Sequence, residues 1–354
     1  MRVLVVKVSS LGDVIHTLPA LTDARNAIPD IEFDWVVEEA YTEIPAWHPA
    51  VSKVIPVAFR RWRKNIFSLF FNAEFRRFRR DLKTSPYDLV IDAQGLLKSA
   101  VICGMVPART VGFDRQSIRE KLAVSYYDES YAVSRQQHAV ERTRELFSRA
   151  LGYNKAAQAD YGIAAVELGK QAEQVDRSLL FLHGTTWPTK LWPQAYWQEL
   201  TRLATEHNYQ VKLLWGNEEE KSRAQRIAGS NSKARVIDRQ AITGIAKLMC
   251  QSAAIVAVDT GLAHLAAALG RPTLALYGAS DAERTGTYGD NQKHLQAKLS
   301  CSPCLKRHCE YKGKELEDEE KAKVFTVQPP CFSTLSPQHV WQELARVLAE
   351  HRES

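Results

Sequence analysis

The chain has 354 residues, 45% apolar and 25% charged, the profile of a soluble globular protein long enough for two hydrophobic cores. No run of about 18 apolar residues occurs, which excludes a membrane-spanning helix. The start "MRVLVVKVSS" has no secretory leader pattern, so the expected location is the cytoplasm, where six cysteines do not read as a disulfide framework.

Strands are expected in the first half at "RVLVVK", "EFDWVVEE", "KVIPVA", "YDLVIDA" and "ARTVGF". Between the third and fourth lies a basic stretch. Arg60, Arg61, Arg63, Lys64, Arg76, Arg77, Arg79, Arg80 and Lys83 stand there against only Glu74 and Asp81, in a chain of net charge +6 and pI near 8.9. Such local basicity points to an anionic partner: nucleic acid, a membrane surface or a phosphorylated substrate. After a polar linker expected near residues 153 to 177, strands recur at "SLLFLHG", "QVKLLWG", "ARVID", "AAIVAVD" and "TLALYG". Helices such as "PQAYWQELTRLATEHN" separate them, and "SPQHVWQELARVLAEHRE" closes the chain. Strand–helix alternation implies parallel sheets covered on both faces. The expected organisation is a domain over 1–160, a second over 175–335, and a helix over 336–354 packing across both.

Ligands of doubly wound domains sit beyond the carboxyl ends of the strands. Asp13, Asp92, Gln94, Thr185, Thr186, Glu220 and Asp259 follow strand ends and are the polar residues to inspect. In "VVKVSSLGDVIHTLPAL" a strand runs through Ser9, Ser10 and Gly12 into a helix, a junction that elsewhere cradles phosphate. Here it carries its own anion, Asp13. In "VAVDTGLAHLAAALG" a strand ends at Asp259 and a helix opens at once, so Thr260 and Gly261 present backbone N–H groups to an anion. "FLHGTTWPTKLWP" offers Thr185, Thr186 and Lys190 to a diphosphate, and "LLWGNEEEKSRA" offers Glu220 to ribose hydroxyls. Helix capping is the other reading of Asp13, Thr185 and Asp259. Neither G-x-G-x-x-G nor G-x-x-x-x-G-K-[ST] is present, which argues against a dinucleotide dehydrogenase and a P-loop NTPase.

The stretches "VSSLGDVIHTLPALTDA", "FDWVVEEA", "RRWRKN", "IDAQGLLKSA", "QQHAVERTRELF", "LHGTTWPTKLWP", "WGNEEE" and "VAVDTGLAHLAAAL" resemble the bacterial ADP-heptose:lipopolysaccharide heptosyltransferases of glycosyltransferase family 9. The similarity is greatest to members that add the first heptose. The resemblance implies an α/β GT-B fold, with two doubly wound Rossmann-like domains facing a central cleft. It implies an inverting transfer of L-glycero-D-manno-heptose from ADP-heptose to Kdo of the inner core, on the cytoplasmic face of the inner membrane. By the same resemblance Asp13 is the general base and Lys190 stabilises the leaving diphosphate. Thr185, Thr186, Lys190, Glu220, Asp259, Thr260, Gly261 and His264 hold the donor. Arg60, Arg61, Arg63 and Lys64 meet the acceptor Kdo-lipid A, with Lys98 and His138 as further acceptor-side candidates. His16 reads as a packed histidine. No cofactor and no catalytic metal are expected.

Cys301, Cys304, Cys309 and Cys331 form C-x2-C-x4-C-x21-C, a spacing that permits a four-thiolate structural zinc site; free cytosolic thiols are the other reading. Other functions also remain open. One is a relative with another acceptor, such as the second heptosyltransferase, and another is a nucleotide-binding regulator without turnover. A third is a nucleic-acid-binding protein using Trp62, Phe67, Phe70, Phe71, Phe75 and Phe78. Those aromatics equally suit an amphipathic helix on anionic lipid.

Overall fold

The computed structural model describes residues 1–62, 73–163 and 175–351. The chain divides into two compact units, Met1–Ile163 and Ala164–Ser354. Arg63, Lys64, Phe67, Phe70 and Phe71 lie outside the described residues.

The first unit holds one parallel six-stranded sheet. Its strands are β1 (Arg2–Val6), β2 (Glu32–Glu38), β3 (Val51–Val57), β4 (Leu89–Asp92), β5 (Thr110–Phe113) and β6 (Glu129–Tyr131). Their order is β3-β2-β1-β4-β5-β6, so the sheet reverses direction of growth between β1 and β4. Val3 to Val6 are all fully buried, as a strand covered on both faces requires. Pro56, which has no N–H to give, sits on edge strand β3.

The second unit repeats the plan with β7 (Asp176–Leu182), β8 (Gln210–Leu213), β9 (Ala234–Val236), β10 (Ser252–Val258), β11 (Thr273–Tyr277) and β12 (Gln292–Gln296). The order is β12-β11-β10-β7-β8-β9, and the switch falls between β7 and β10. Trp197, Leu200 and Ala204, spaced along one face of the helix Gln194–Glu206, bury against Phe181, Trp192 and the sheet. Val340, Leu344 and Leu348 on the closing helix Pro337–Glu350 belong to that same core. The closing helix thus contributes to the core of the second unit.

Each sheet has one strand more than the sequence suggested. β6 ("ESY") and β12 ("QKHLQ") are short, polar edge strands without an apolar run, and parallel pairing to β5 and β11 creates them. The expected linker also begins later. Residues 153–163 are polar in sequence but folded onto the first unit, where Tyr161 and Ile163 are buried. Arg144 holds them there. Its guanidinium, 1% exposed, donates to Asp23 at 2.7 and 3.2 Å, to Glu141 at 2.6 Å, and to the carbonyls of Ala156 and Gln158 at 2.6 and 3.2 Å. A buried charge so fully hydrogen-bonded is tolerated; one stripped of a partner is not.

Candidate active site

In the first unit the loop after β1 meets the loop after β4, at the switch point. Ser10 caps the helix Leu11–Ile15, and Asp13 stands at its third position. The Asp13 Oδ2 accepts from the Ser10 N–H at 2.7 Å and from the Ser10 hydroxyl at 2.9 Å. The N–H groups of Val8 and Ser9 both donate to Gln94 Oε1 at 3.0 Å. The N–H groups of Val8, Ser9 and Ser10 in this phosphate-type loop are therefore occupied by the protein's own oxygens. Gln94 is fixed in turn by Asp92. That carboxylate, wholly buried, accepts from the N–H groups of Gln94 and Gly95 at 2.9 and 3.0 Å, from Ser99 at 2.9 Å and from Tyr127 at 2.7 Å. Burial raises the Asp92 pKa, against the opposing pull of these hydrogen bonds. Gly95 turns the chain at φ +69°, which L side chains rarely adopt.

Two ammonium groups feel the Asp13 carboxylate. Lys7, buried, donates to the Ala93 carbonyl at 2.7 Å; burial lowers its pKa while Asp13 and Asp92 oppose the shift. Lys98 donates to the Ser9 hydroxyl at 3.0 Å, and its pKa is lowered chiefly by burial. His138 caps the helix Ala139–Leu151 by accepting from the Val140 N–H at 3.2 Å. His16, 4% exposed, packs edge-on against His138 at 5.6 Å between ring centroids.

The basic stretch is partly engaged. Arg61 pairs with Glu39 at 2.9 Å and Glu74 at 2.8 Å, all three exposed. Arg60 lies over the Tyr41 ring at 5.2 Å, and its N–H donates to Glu38 at 3.1 Å. Trp62, Phe75 and Phe78 are buried in the core with ring centroids 5.6 to 6.4 Å apart. These three rings are therefore committed to packing, which removes them from base stacking or lipid insertion.

In the second unit the loops after β7 and β10 meet at its own switch point. Lys190 Nζ lies 2.6 Å from Asp259 Oδ2 and 4.6 Å from the Trp187 ring centroid. The Thr185 hydroxyl donates to the Asp259 carbonyl at 3.0 Å, and His264 Nε2 is 3.9 Å from Asp259 Oδ1. Thr260 stands just before the helix Gly261–Ala268, at its N-cap position, without a side-chain capping hydrogen bond. Glu220, in the first turn of the helix Glu218–Ala228, accepts from the Gly216 N–H at 2.7 Å. It also lies against Gly184, where a Cβ would come 2.7 Å from its Cδ. A side chain there would push the Glu220 carboxylate out of its present place. Thr186 is exposed. Thr185, Lys190, Glu220, Asp259, Thr260, Gly261 and His264 are thus gathered at neighbouring strand ends.

Sequence reasoning missed the partners that hold these groups. Tyr127 lies in no quoted stretch and reaches Asp92 from 35 residues away. Ser99 and Trp187 lie within quoted stretches, close in sequence to Asp92 and Lys190, but their residue types alone do not mark them. Cys301, Cys304, Cys309 and Cys331 line one small cavity of the second unit, and Cys331 is pushed up to about 12, first by burial and then by the other three thiols. Among the described residues no three His, Cys, Asp or Glu side chains stand as a ready metal-binding group. Among the same residues no helix is long and apolar enough to cross a membrane.

Two parallel doubly wound units, the second with hydroxyl, ammonium and helix N-terminus beside its switch point, make up a GT-B type two-domain fold. The chain belongs to glycosyltransferase family 9 (heptosyltransferase), whose model matches residues 75–315. It is 53% identical over 98% of both chains to lipopolysaccharide heptosyltransferase 1 of Pseudomonas aeruginosa PAO1. It is 48% identical to the protein of that name from Escherichia coli K12, over 84% of this chain and 94% of that one. Among solved structures it is similar to E. coli heptosyltransferase WaaC with ADP-2-deoxy-2-fluoro heptose, with TM-score 0.82, 42% identity, and 98% and 99% of the two chains covered.

Proposed function

We propose that the protein transfers L-glycero-D-manno-heptose from ADP-heptose to Kdo of Kdo-lipid A, placing the first heptose of the lipopolysaccharide inner core. The observation that carries this reading is the Lys190–Asp259 pair, flanked by Thr185, Glu220 and the N-terminus of the helix Gly261–Ala268. Hydroxyl, ammonium and N–H donors suit a diphosphate, and a carboxylate one strand away suits ribose hydroxyls.

The reaction is a single displacement with inversion. Asp13 takes the proton of a Kdo hydroxyl, whose oxygen forms a bond to the anomeric carbon. The bond from that carbon to the ADP oxygen breaks on the opposite face, and ADP leaves with the electron pair. Lys190 turns from Asp259 toward the diphosphate as negative charge grows there. Gln94 and Ser10 hold the loop so that Asp13 stays at the helix start. Lys98, His138, Arg60 and Arg61, with Arg63 and Lys64, serve the anionic acceptor, and the protein works at the cytoplasmic face of the inner membrane. No metal takes part in the chemistry. The test is incubation with ADP-heptose and Kdo-lipid A: ADP release and one added heptose in the lipid mass support the reading. ADP release that is independent of acceptor, or none at all, contradicts it.

A further inference from the structure

Four of the six cysteines meet at one place although they come from two separate segments. Cys301, Cys304 and Cys309 lie on the loop after β12, and Cys331 lies on the 3-10 turn Pro330–Thr334. All four line a single cavity of about 10 Å³, room for one atom, lined also by Gly278 and Ala279 just beyond β11. One buried thiol is explained as a small hydrophobic side chain. Four around a space of atomic size are not explained by packing, because branched aliphatic residues fill such a space better. Four thiols around one point are what a tetrahedral metal needs, and the C-x2-C step matches structural thiolate sites.

The cysteine loop is also fastened to the donor-side cluster. Thr189 donates through its hydroxyl to the carbonyl of Lys306 at 2.6 Å, and the Leu305 N–H donates to the Ala279 carbonyl at 2.8 Å. Thr189 is the neighbour of Lys190. Whatever stiffens residues 301–309 therefore stiffens the turn that carries Lys190. The thiols do not yet form a ligand set among the described residues. With metal–sulfur bonds of about 2.3 Å the four sulfurs would stand about 3.8 Å apart. A change of χ1 between staggered wells swings a thiol inward without moving its backbone. Cys309 is exposed, and Cys301 and Cys304 are half-buried, so the loop has room for that rotation.

We propose that Cys301, Cys304, Cys309 and Cys331 bind one thiophilic divalent ion, zinc the first candidate, in a structural site that braces the Lys190 turn. Binding replaces the four thiol protons, which pass to solvent. The ion lies outside the reacting groups and supplies no step of the transfer.

The experiment uses the full-length chain, purified without chelator or metal-affinity tag. Inductively coupled plasma mass spectrometry is expected to find about one zinc or iron per chain. Thiol titration of the native protein should find these four cysteines protected, and stripping the metal should expose them. Cys309→Ser, at the exposed position, should lose most of the metal, whereas Cys250→Ala should keep it. If serine variants fail to fold, the stripped wild type carries the test. Restoring Zn(II) should then slow hydrogen exchange in residues 301–309 and 187–191. Trace metal with no uptake of added Zn(II), equal metal in Cys309→Ser and wild type, or a disulfide among the four would each overturn the proposal.

Discussion

Lys190 Nζ and Asp259 Oδ2 stand 2.6 Å apart with only 19% and 8% of their side chains exposed, so the cation proposed for the leaving group is paired with a carboxylate. The pair ties the loop after β7 to the loop after β10. Partial shielding from water makes it stronger than an exposed pair of the same length.

Replacing Lys190 should therefore act twice. Lys190→Ala removes charge stabilisation that grows in the transition state, so kcat should fall about 10²-fold or more, with a smaller change in ADP affinity. It also strands Asp259, so the melting temperature should fall. Adding Asp259→Asn should restore the melting temperature without restoring kcat, and Lys190→Arg should recover part of the rate. Steady-state kinetics and thermal scans on the set separate the two effects; full kcat in Lys190→Ala would remove the leaving-group role.

Gln94 should behave as a positioning residue for Asp13. Gln94→Leu leaves the N–H groups of Val8 and Ser9 without an acceptor, at about 1–3 kcal/mol for each group left unsatisfied. Lower stability to urea and lower kcat with little change in donor KM are expected. Gln94→Glu keeps an accepting oxygen and should keep most of the stability. Equal stability in Gln94→Leu and wild type would show that these contacts do not hold the loop.

Arg61 is engaged by Glu39 and Glu74. Freeing it with Glu39→Gln and Glu74→Gln should lower the acceptor KM and leave the ADP-heptose KM alone. An acceptor KM that rises or stays fixed would place acceptor contacts elsewhere.

His48 makes the first unit sensitive to acid. The Ala50 N–H donates to its Nδ1 at 3.1 Å, so Nε2 carries the hydrogen that meets Thr22 at 3.0 Å. Burial, then Arg25, lowers its pKa to about 4, so the folded protein keeps it neutral. The unfolded chain binds a proton there below about pH 6.5. Stability present above that pH is therefore lost as pH falls toward 4, by about 3 kcal/mol in the limit. His183, also lowered to about 4 by burial, adds a similar loss in the second unit. The fall in urea midpoint from pH 7 to 4.5 should be smaller in His48→Gln than in wild type; equal falls would contradict the assignment.

The strands buried on both faces were legible because "RVLVV" or "AAIVAV" can only be central in a parallel sheet. The edge strands β6 and β12 were not, since nothing but a neighbour's free N–H and C=O groups marks them. Asp13, Lys190 and Asp259 were legible as polar residues beyond strand ends. Their restraints were not: Gln94 is 81 residues from Asp13 and Asp259 is 69 from Lys190, so only the completed sheet brings them together. The polar stretch from 153 to 163 read as a linker because a buried arginine's grip on backbone carbonyls leaves no apolar trace in sequence.

The central claim is that Asp13 takes the acceptor's proton in a transfer from ADP-heptose. Single-turnover ADP release by Asp13→Asn, with bound donor and saturating Kdo-lipid A, tests it most directly. The amide still accepts from Ser10, so the loop and donor affinity should hold while the rate falls about 10²–10⁴-fold. A near-normal rate with a lowered melting temperature would show that Asp13 only caps its helix.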